Sequence, residues 1–121
     1  MNRKALIIED DPILATIFGK ALQDSGYETE VINDGRLAQE RLQEVVPVVI
    51  VLDLHLPNVS GEALLQEIKA DDDLANTRII IVSADADLVK KFRPQVDLAL
   101  EKPVSFHQLR IMASRLAPLD E

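Results

Sequence analysis

The stretch Val48-Val49-Ile50-Val51-Leu52-Asp53 decides the fold. Five aliphatic residues in a row, most of them β-branched and none polar, describe a strand buried on both faces. Such a strand belongs at the centre of a parallel sheet covered by helices. It stops abruptly at a carboxylate, and the carboxyl ends of strands are where open α/β sheets bind ligands.

Working outward, the same grammar repeats. Upstream, Ala5-Leu6-Ile7-Ile8 is a second buried run, ending in Glu9-Asp10-Asp11. Pro12 then takes the first position of a helix with Asp11 as its N-cap. Ile13, Ile17, Phe18, Ala21 and Leu22 recur at helical spacing until Gly26 stops them. Tyr27 to Val31 alternates as a strand, with Tyr27, Thr29 and Val31 on one face. Asn33-Asp34-Gly35 is a turn and cap, and Leu37, Ala38, Arg41 and Leu42 mark a helix that ends before Pro47. Downstream of Asp53, a loop leads through Ser60-Gly61 into a helix carrying Leu64, Leu65 and Ile68. Ile79 to Val82 is a strand stopping at Ser83, followed by a short helix over Asp87–Phe92. Asp97 to Leu100 is a marginal fifth strand, ending at Glu101-Lys102-Pro103. Ser105-Phe106-His107-Gln108 has capping-box spacing for a last helix through Leu116.

Strands alternating with helices, five of each, predict an α/β chain with a doubly wound, flavodoxin-like parallel sheet of order 2-1-3-4-5. The 121 residues suit one domain, with an ordered core from about 3 to 117 and a frayed tail over Pro118–Glu121. Aromatic residues are 3% of the chain, so the core is expected to be aliphatic. The absence of cysteine excludes disulfides, thiol catalysis and thiolate metal sites. A net charge of −8 disfavours direct nucleic-acid binding and favours a cation or a basic partner. No run is long enough to span a membrane, and cytoplasm is the expected compartment.

The topology gives the polar residues their meaning. Glu9 and Asp10 follow the first strand, Asp53 the third, Ser83 the fourth and Lys102 the fifth, so all converge on one edge of the sheet. Clustered carboxylates repel one another and need a cation to stay ionised. Oxygen-only ligands suit Mg²⁺ or a similar hard ion rather than zinc. A lysine and a hydroxyl facing the same ion can engage anionic oxygens, as phosphoryl transfer requires, and a carboxylate can be the nucleophile.

Four motifs in order carry a resemblance: Ile7-Ile8-Glu9-Asp10-Asp11, Val51-Leu52-Asp53-Leu54-His55-Leu56-Pro57 with Gly61, Val82-Ser83-Ala84, and Glu101-Lys102-Pro103. Along nearly its whole length the chain resembles the receiver (response-regulator) family of two-component signalling. The resemblance implies that Asp53 accepts a phosphoryl group from a phosphohistidine on a sensor histidine kinase or phosphotransfer protein. It implies that Glu9, Asp10, Asp53 and the backbone carbonyl of His55 hold Mg²⁺. Ser83 and Lys102 would engage the phosphoryl group, Ala84 would leave it room, and Lys102-Pro103 would be cis. Such a chain is a phosphorylation-switched signalling domain, assisting its own phosphorylation and dephosphorylation, with output through a downstream protein or a fused effector.

Two departures bear on that output. The family's strand-five aromatic position holds Ala99, so no ring can swing there. The stretch from Ser83 to Lys102 is also short, contains Pro94 and lacks the glycine expected before strand five, which predicts a truncated fourth helix. Competing readings are a pseudo-receiver scaffold and an Asp-nucleophile phosphatase. The phosphatase would want a second Asp two residues after Asp53, where His55 stands. A dinucleotide-binding domain is disfavoured because Glu9-Asp10-Asp11-Pro12 replaces the glycine-rich turn. His107 and Asp71-Asp72-Asp73 read as solvated surface.

Overall fold

A computed structural model describes residues 3–116. The first two residues and the expected tail, with Ala117, lie outside the described residues. The elements alternate as β1 (Lys4–Ile8), α1 (Pro12–Asp24), β2 (Glu28–Ile32), α2 (Gly35–Leu42), β3 (Val49–Asp53) and α3 (Gly61–Ala70). Then come a 3-10 turn (Asp72–Leu74), β4 (Arg78–Ser83), α4 (Ala86–Phe92), a second 3-10 turn (Arg93–Gln95), β5 (Leu98–Glu101) and α5 (Phe106–Leu116). The five strands are all parallel, in the order β2-β1-β3-β4-β5.

Period-two alternation sorts the strand side chains into two cores. Leu6, Ile8, Ile50, Leu52, Ile79 and Ile81 pack under α2, α3 and α4, with Leu42, Leu65, Ile68 and Phe92. Ala5, Ile7, Val49, Val51, Ile80 and Val82 pack under α1 and α5, with Phe18, Leu22 and Leu109. Every residue of β3 is buried, which is why its sequence shows no polar interruption. Burying each of its aliphatic side chains stabilises the fold by roughly 1.5–3 kcal/mol.

The helix starts are fixed by side-chain caps. Asp11 accepts from the N–H groups of Ile13 and Leu14, Asp34 from those of Arg36 and Leu37, and Ser60 from that of Ala63. Ser105 Oγ accepts from the Gln108 N–H at 3.0 Å. Gly26 has φ of +94°, the left-handed turn that ends the first helical segment before β2.

Three apolar positions depart from the expected pattern. Ile13, Leu37 and Val31 are 71%, 51% and 48% exposed. Ile13 and Leu37 fall in the first turns of α1 and α2, and the buried face of α1 is lined by Ala15 and Phe18 instead. Val31 pairs with Ile7, but β2 is an edge strand, and there the side chain is only half covered. The fifth strand starts at Leu98, because Asp97 turns its carboxylate back to accept from the Ile79 N–H at 2.8 Å. The second strand starts at Glu28, with Tyr27 buried ahead of it and its hydroxyl donating to the Ala113 carbonyl at 3.1 Å. The Asp71–Asp73 run is more than solvated surface: Asp71 caps the first 3-10 turn by accepting from the Asp73 N–H.

Candidate functional site

Strand register assembles the site. Ile8 pairs with Leu52, which sets Glu9 level with Asp53 at the exit of β1 and β3. Asp53 pairs with Val82, so Ser83 comes one residue further, and Ser83 pairs with Glu101, placing Lys102 just beyond. A one-residue slip in any of these pairings would turn a site residue to the opposite face.

The geometry is tight where it counts. Lys102 Nζ lies 3.2 Å from Asp53 Oδ2 and 3.2 Å from Glu9 Oε1, tying three strand exits together. Glu9 and Asp53 are 1% and 2% exposed, whereas Asp10 opens to solvent. One oxygen each from Glu9, Asp10 and Asp53 falls within 4.8 Å of the others, a spacing at which a single cation can be held. Asp53 Oδ1 accepts from the His55 N–H at 3.0 Å, which orients the carboxylate; the imidazole itself is exposed. The Lys102-Pro103 peptide is cis.

Glu9 is the telling residue. Its Oε2 accepts from the Asp11 N–H at 3.2 Å, but its buried Oε1 receives no directed hydrogen bond and has only the ion-pair approach of Lys102. A carboxylate oxygen left so incompletely satisfied in the interior is costly unless another cation completes it. Burial first, then a hydrogen bond shared with Asp53 and the Asp53 charge, push the Glu9 carboxyl up to about 7, against the opposing pull of the Asp11 N–H and Lys102. Burial works against the charge on Lys102, yet Asp53 and Glu9 outweigh it and hold the ammonium above its ordinary range. The donor set, hard oxygens with one orphaned and buried, fits a divalent ion such as Mg²⁺.

Ser83 is fully buried, and its hydroxyl is turned elsewhere: Oγ accepts from the Asp85 N–H at 3.0 Å. Among the described residues no hydrogen bond joins it to Asp53. Asp85 in turn caps α4, accepting from the N–H groups of Asp87 and Leu88. Sequence reasoning missed this link, although an Asp just ahead of Ala86-Asp87-Leu88 is an ordinary N-cap signal. Ala84 is exposed at the same loop.

Gly61 is the other residue whose role sequence alone left unstated. A Cβ there would stand 2.2 Å from the Asp53 carbonyl oxygen and 2.4 Å from Leu54 Cα, so only glycine lets α3 start this close behind the acceptor. A cleft of about 330 Å³, lined by Glu9, Asp10, Pro12, Ala15, Thr16, Val31 and Asn33, opens beside the carboxylates. Larger clefts of about 380 Å³ between β2 and α2 and about 430 Å³ at the opposite end of β4 and β5 hold no such chemistry. Side-chain chemistry, not volume, locates the site.

Comparison with known proteins identifies the family of the chain. The family model for the response regulator receiver domain matches residues 5–114. The chain is 27% identical to the regulatory protein VanRB of Enterococcus faecalis over 98% of its own length and 53% of that protein's. It is 33% identical to the DNA-binding response regulator MtrA of Mycolicibacterium smegmatis over 74% of its length and 38% of that protein's. The chain thus spans about half, or less, of these relatives. The signal receiver domain of a signal transduction histidine kinase from Syntrophus aciditrophicus superposes with a TM-score of 0.82 at 30% identity, covering 93% of this chain and 88% of that one. With the family model spanning nearly all of the described residues, the chain belongs to the response regulator receiver domain family of two-component signalling.

Proposed function

We propose that Asp53 is the phosphoacceptor of this receiver, taking a phosphoryl group from a phosphohistidine of a sensor histidine kinase or phosphotransfer protein. The observation that carries the reading is the convergence of Lys102 Nζ on Asp53 and Glu9, 3.2 Å from each, with Asp10 closing the acidic cluster. In the transfer, an Asp53 carboxylate oxygen forms a bond to phosphorus as the donor's P–N bond breaks, and the imidazole departs with the bonding electron pair. The Asp53 Oδ1 contact with the His55 N–H and the Oδ2 contact with Lys102 pre-orient the nucleophile. Lys102 then faces an incoming phosphoryl oxygen with a charge already fixed by its carboxylate partners.

Glu9, Asp10 and Asp53 are the residues that would hold Mg²⁺, with the His55 backbone carbonyl as a further ligand. When bound, Mg²⁺ supplies positive charge against the phosphoryl oxygens and relieves the mutual repulsion of the carboxylates. Phosphorylation adds nearly two negative charges at neutral pH. In this reading Ser83 answers them: as its hydroxyl turns toward the phosphoryl oxygens, Oγ gives up the hydrogen bond that it now accepts from the Asp85 N–H. Because Asp85 caps α4, that exchange would reach the start of the helix.

Incubation with a small-molecule phosphodonor and Mg²⁺, followed by intact-mass measurement, tests the reading. A phosphoryl-sized gain in the wild type and none in Asp53→Asn is the expected result. A gain that survives in Asp53→Asn overturns the assignment.

A further inference from the structure

The loop that leads from Asp53 into α3 is held from outside. Its base is closed by the Gly61 N–H, which donates to the Leu54 carbonyl at 3.1 Å. At its tip the chain turns at Asn58, whose φ of +70° lies in the left-handed region. There the Val59 N–H donates back to the Pro57 carbonyl at 2.9 Å. A residue other than glycine keeps such a conformation where its surroundings over-determine it. Here those surroundings are the start of α2. The Asn58 side-chain amide donates to Asp34 Oδ2, and the Gly35 N–H donates to the Pro57 carbonyl at 3.2 Å. A Cβ on Gly35 would collide with the Val59 carbonyl, so helix and loop meet backbone to backbone. Among the described residues, no other hydrogen bond ties residues 56–59 to the rest of the fold.

Asp34 has two tasks, one for each oxygen. Oδ1 caps α2, accepting from the Arg36 N–H at 2.7 Å and the Leu37 N–H at 3.2 Å. Serine caps a helix about as well, so the cap alone does not call for a carboxylate. The second oxygen is what reaches the loop. That loop also presents His55, whose N–H aligns Asp53 Oδ1 at 3.0 Å and whose carbonyl is the proposed backbone ligand for Mg²⁺. A backbone ligand has no rotamer of its own and is placed only by whatever places its loop.

We propose that Asp34 is a positioning residue for the metal site, holding Asn58 so that the His55 peptide stands where Asp53 and Mg²⁺ need it. The inference rests on the Mg²⁺-assisted phosphoacceptor reading and deepens it. Neither Asp34 nor Asn58 belongs to the acidic cluster. Their effect passes along the short backbone run from Asn58 back to His55.

The test titrates Mg²⁺ alone into the isotope-labelled chain and follows the Asp53 and His55 amide resonances. Exchange of the His55 amide is measured beside it in the metal-free protein. Asp34→Ser keeps a capping oxygen and loses the loop contact. Asn58→Gly keeps the positive φ and loses the same contact without a change of charge. Each should weaken Mg²⁺ binding about tenfold, and the double variant no further, because both break one bond. His55 amide exchange should quicken in both, while α2 in Asp34→Ser stays as protected as in the wild type. Unchanged Mg²⁺ affinity in the two variants overturns the proposal. So does a loss confined to Asp34→Ser, which would be the work of its charge or its cap. A wild-type chain that shows no Mg²⁺ shifts at Asp53 and His55 and gains no phosphoryl mass removes the underlying reading as well. Normal wild-type behaviour with indifferent variants removes only the role of Asp34.

Discussion

Along the rim formed by Glu9, Asp53 and Ser83 the polar side chains are at most 2% exposed and are cross-braced by Lys102. Along α4 and β5 the construction is looser. The helix has seven residues, it runs straight into a 3-10 turn at Arg93–Gln95, and of the four residues of β5 only Leu100 is buried. The first region is fixed by buried charges in direct contact; the second meets it through the β4–β5 ladder, the Lys102 N–H donating to the Ser83 carbonyl, and the Asp85 N–H donating to Ser83 Oγ. A braced site joined to a short helix through a side-chain hydrogen bond is what a domain needs if chemistry at one place is to alter a surface at another.

That contrast is best broken at the rim. Asp53→Asn should abolish the phosphoryl mass gain. Lys102→Ala removes the cation that Asp53 and Glu9 share and should slow transfer from a small phosphodonor about a hundredfold, read by the time course of the mass gain. Gly61→Ala forces a Cβ into the Asp53 carbonyl and should lower stability by about 1–3 kcal/mol, read from the denaturant midpoint. If Gly61→Ala were neutral, the close approach of α3 to the acceptor would not be a constraint.

The acid balance of the rim has its own signature. The Glu9 carboxyl is raised from 4.5 to about 7 in the folded, metal-free chain. Between those values the native state holds a proton that the unfolded chain has lost, so stability is fullest below the lower value. It declines as pH rises toward the upper one and is level beyond it. Glu9→Gln should flatten that decline in denaturation curves taken across the window. Mg²⁺ must displace the same proton, so its affinity should rise over the same range.

The smallest effect belongs to the looser region. Asp85→Ala removes the cap of α4 and should cost about 1 kcal/mol, read as faster amide exchange confined to residues 86–92, with the rate of Asp53 phosphorylation little changed. Equal loss of protection across β1 and β3 would show that the two regions are one cooperative unit.

The sequence exposes the rim more fully than the edge, for physical reasons. Asp53, Glu9 and Lys102 are legible because each ends a strand run, and in a parallel sheet strand ends must meet. The two cores are legible because β3 and β4 have no polar interruption. What escapes is whatever depends on tertiary cover. Ile13 and Leu37 have helical spacing but stand exposed in first turns, and Val31 has strand alternation but lies on an edge. The orphaned Glu9 oxygen and the Asp85 link to Ser83 are matters of side-chain aim, which periodicity does not encode.

The most direct measurement of the central claim is the position of the modified residue itself. After incubation with phosphodonor and Mg²⁺, borohydride reduction converts an aspartyl phosphate to homoserine, which peptide mass mapping can locate. Conversion confined to Asp53 is the expected result. Conversion at Asp10, or at any carboxylate other than Asp53, would contradict it.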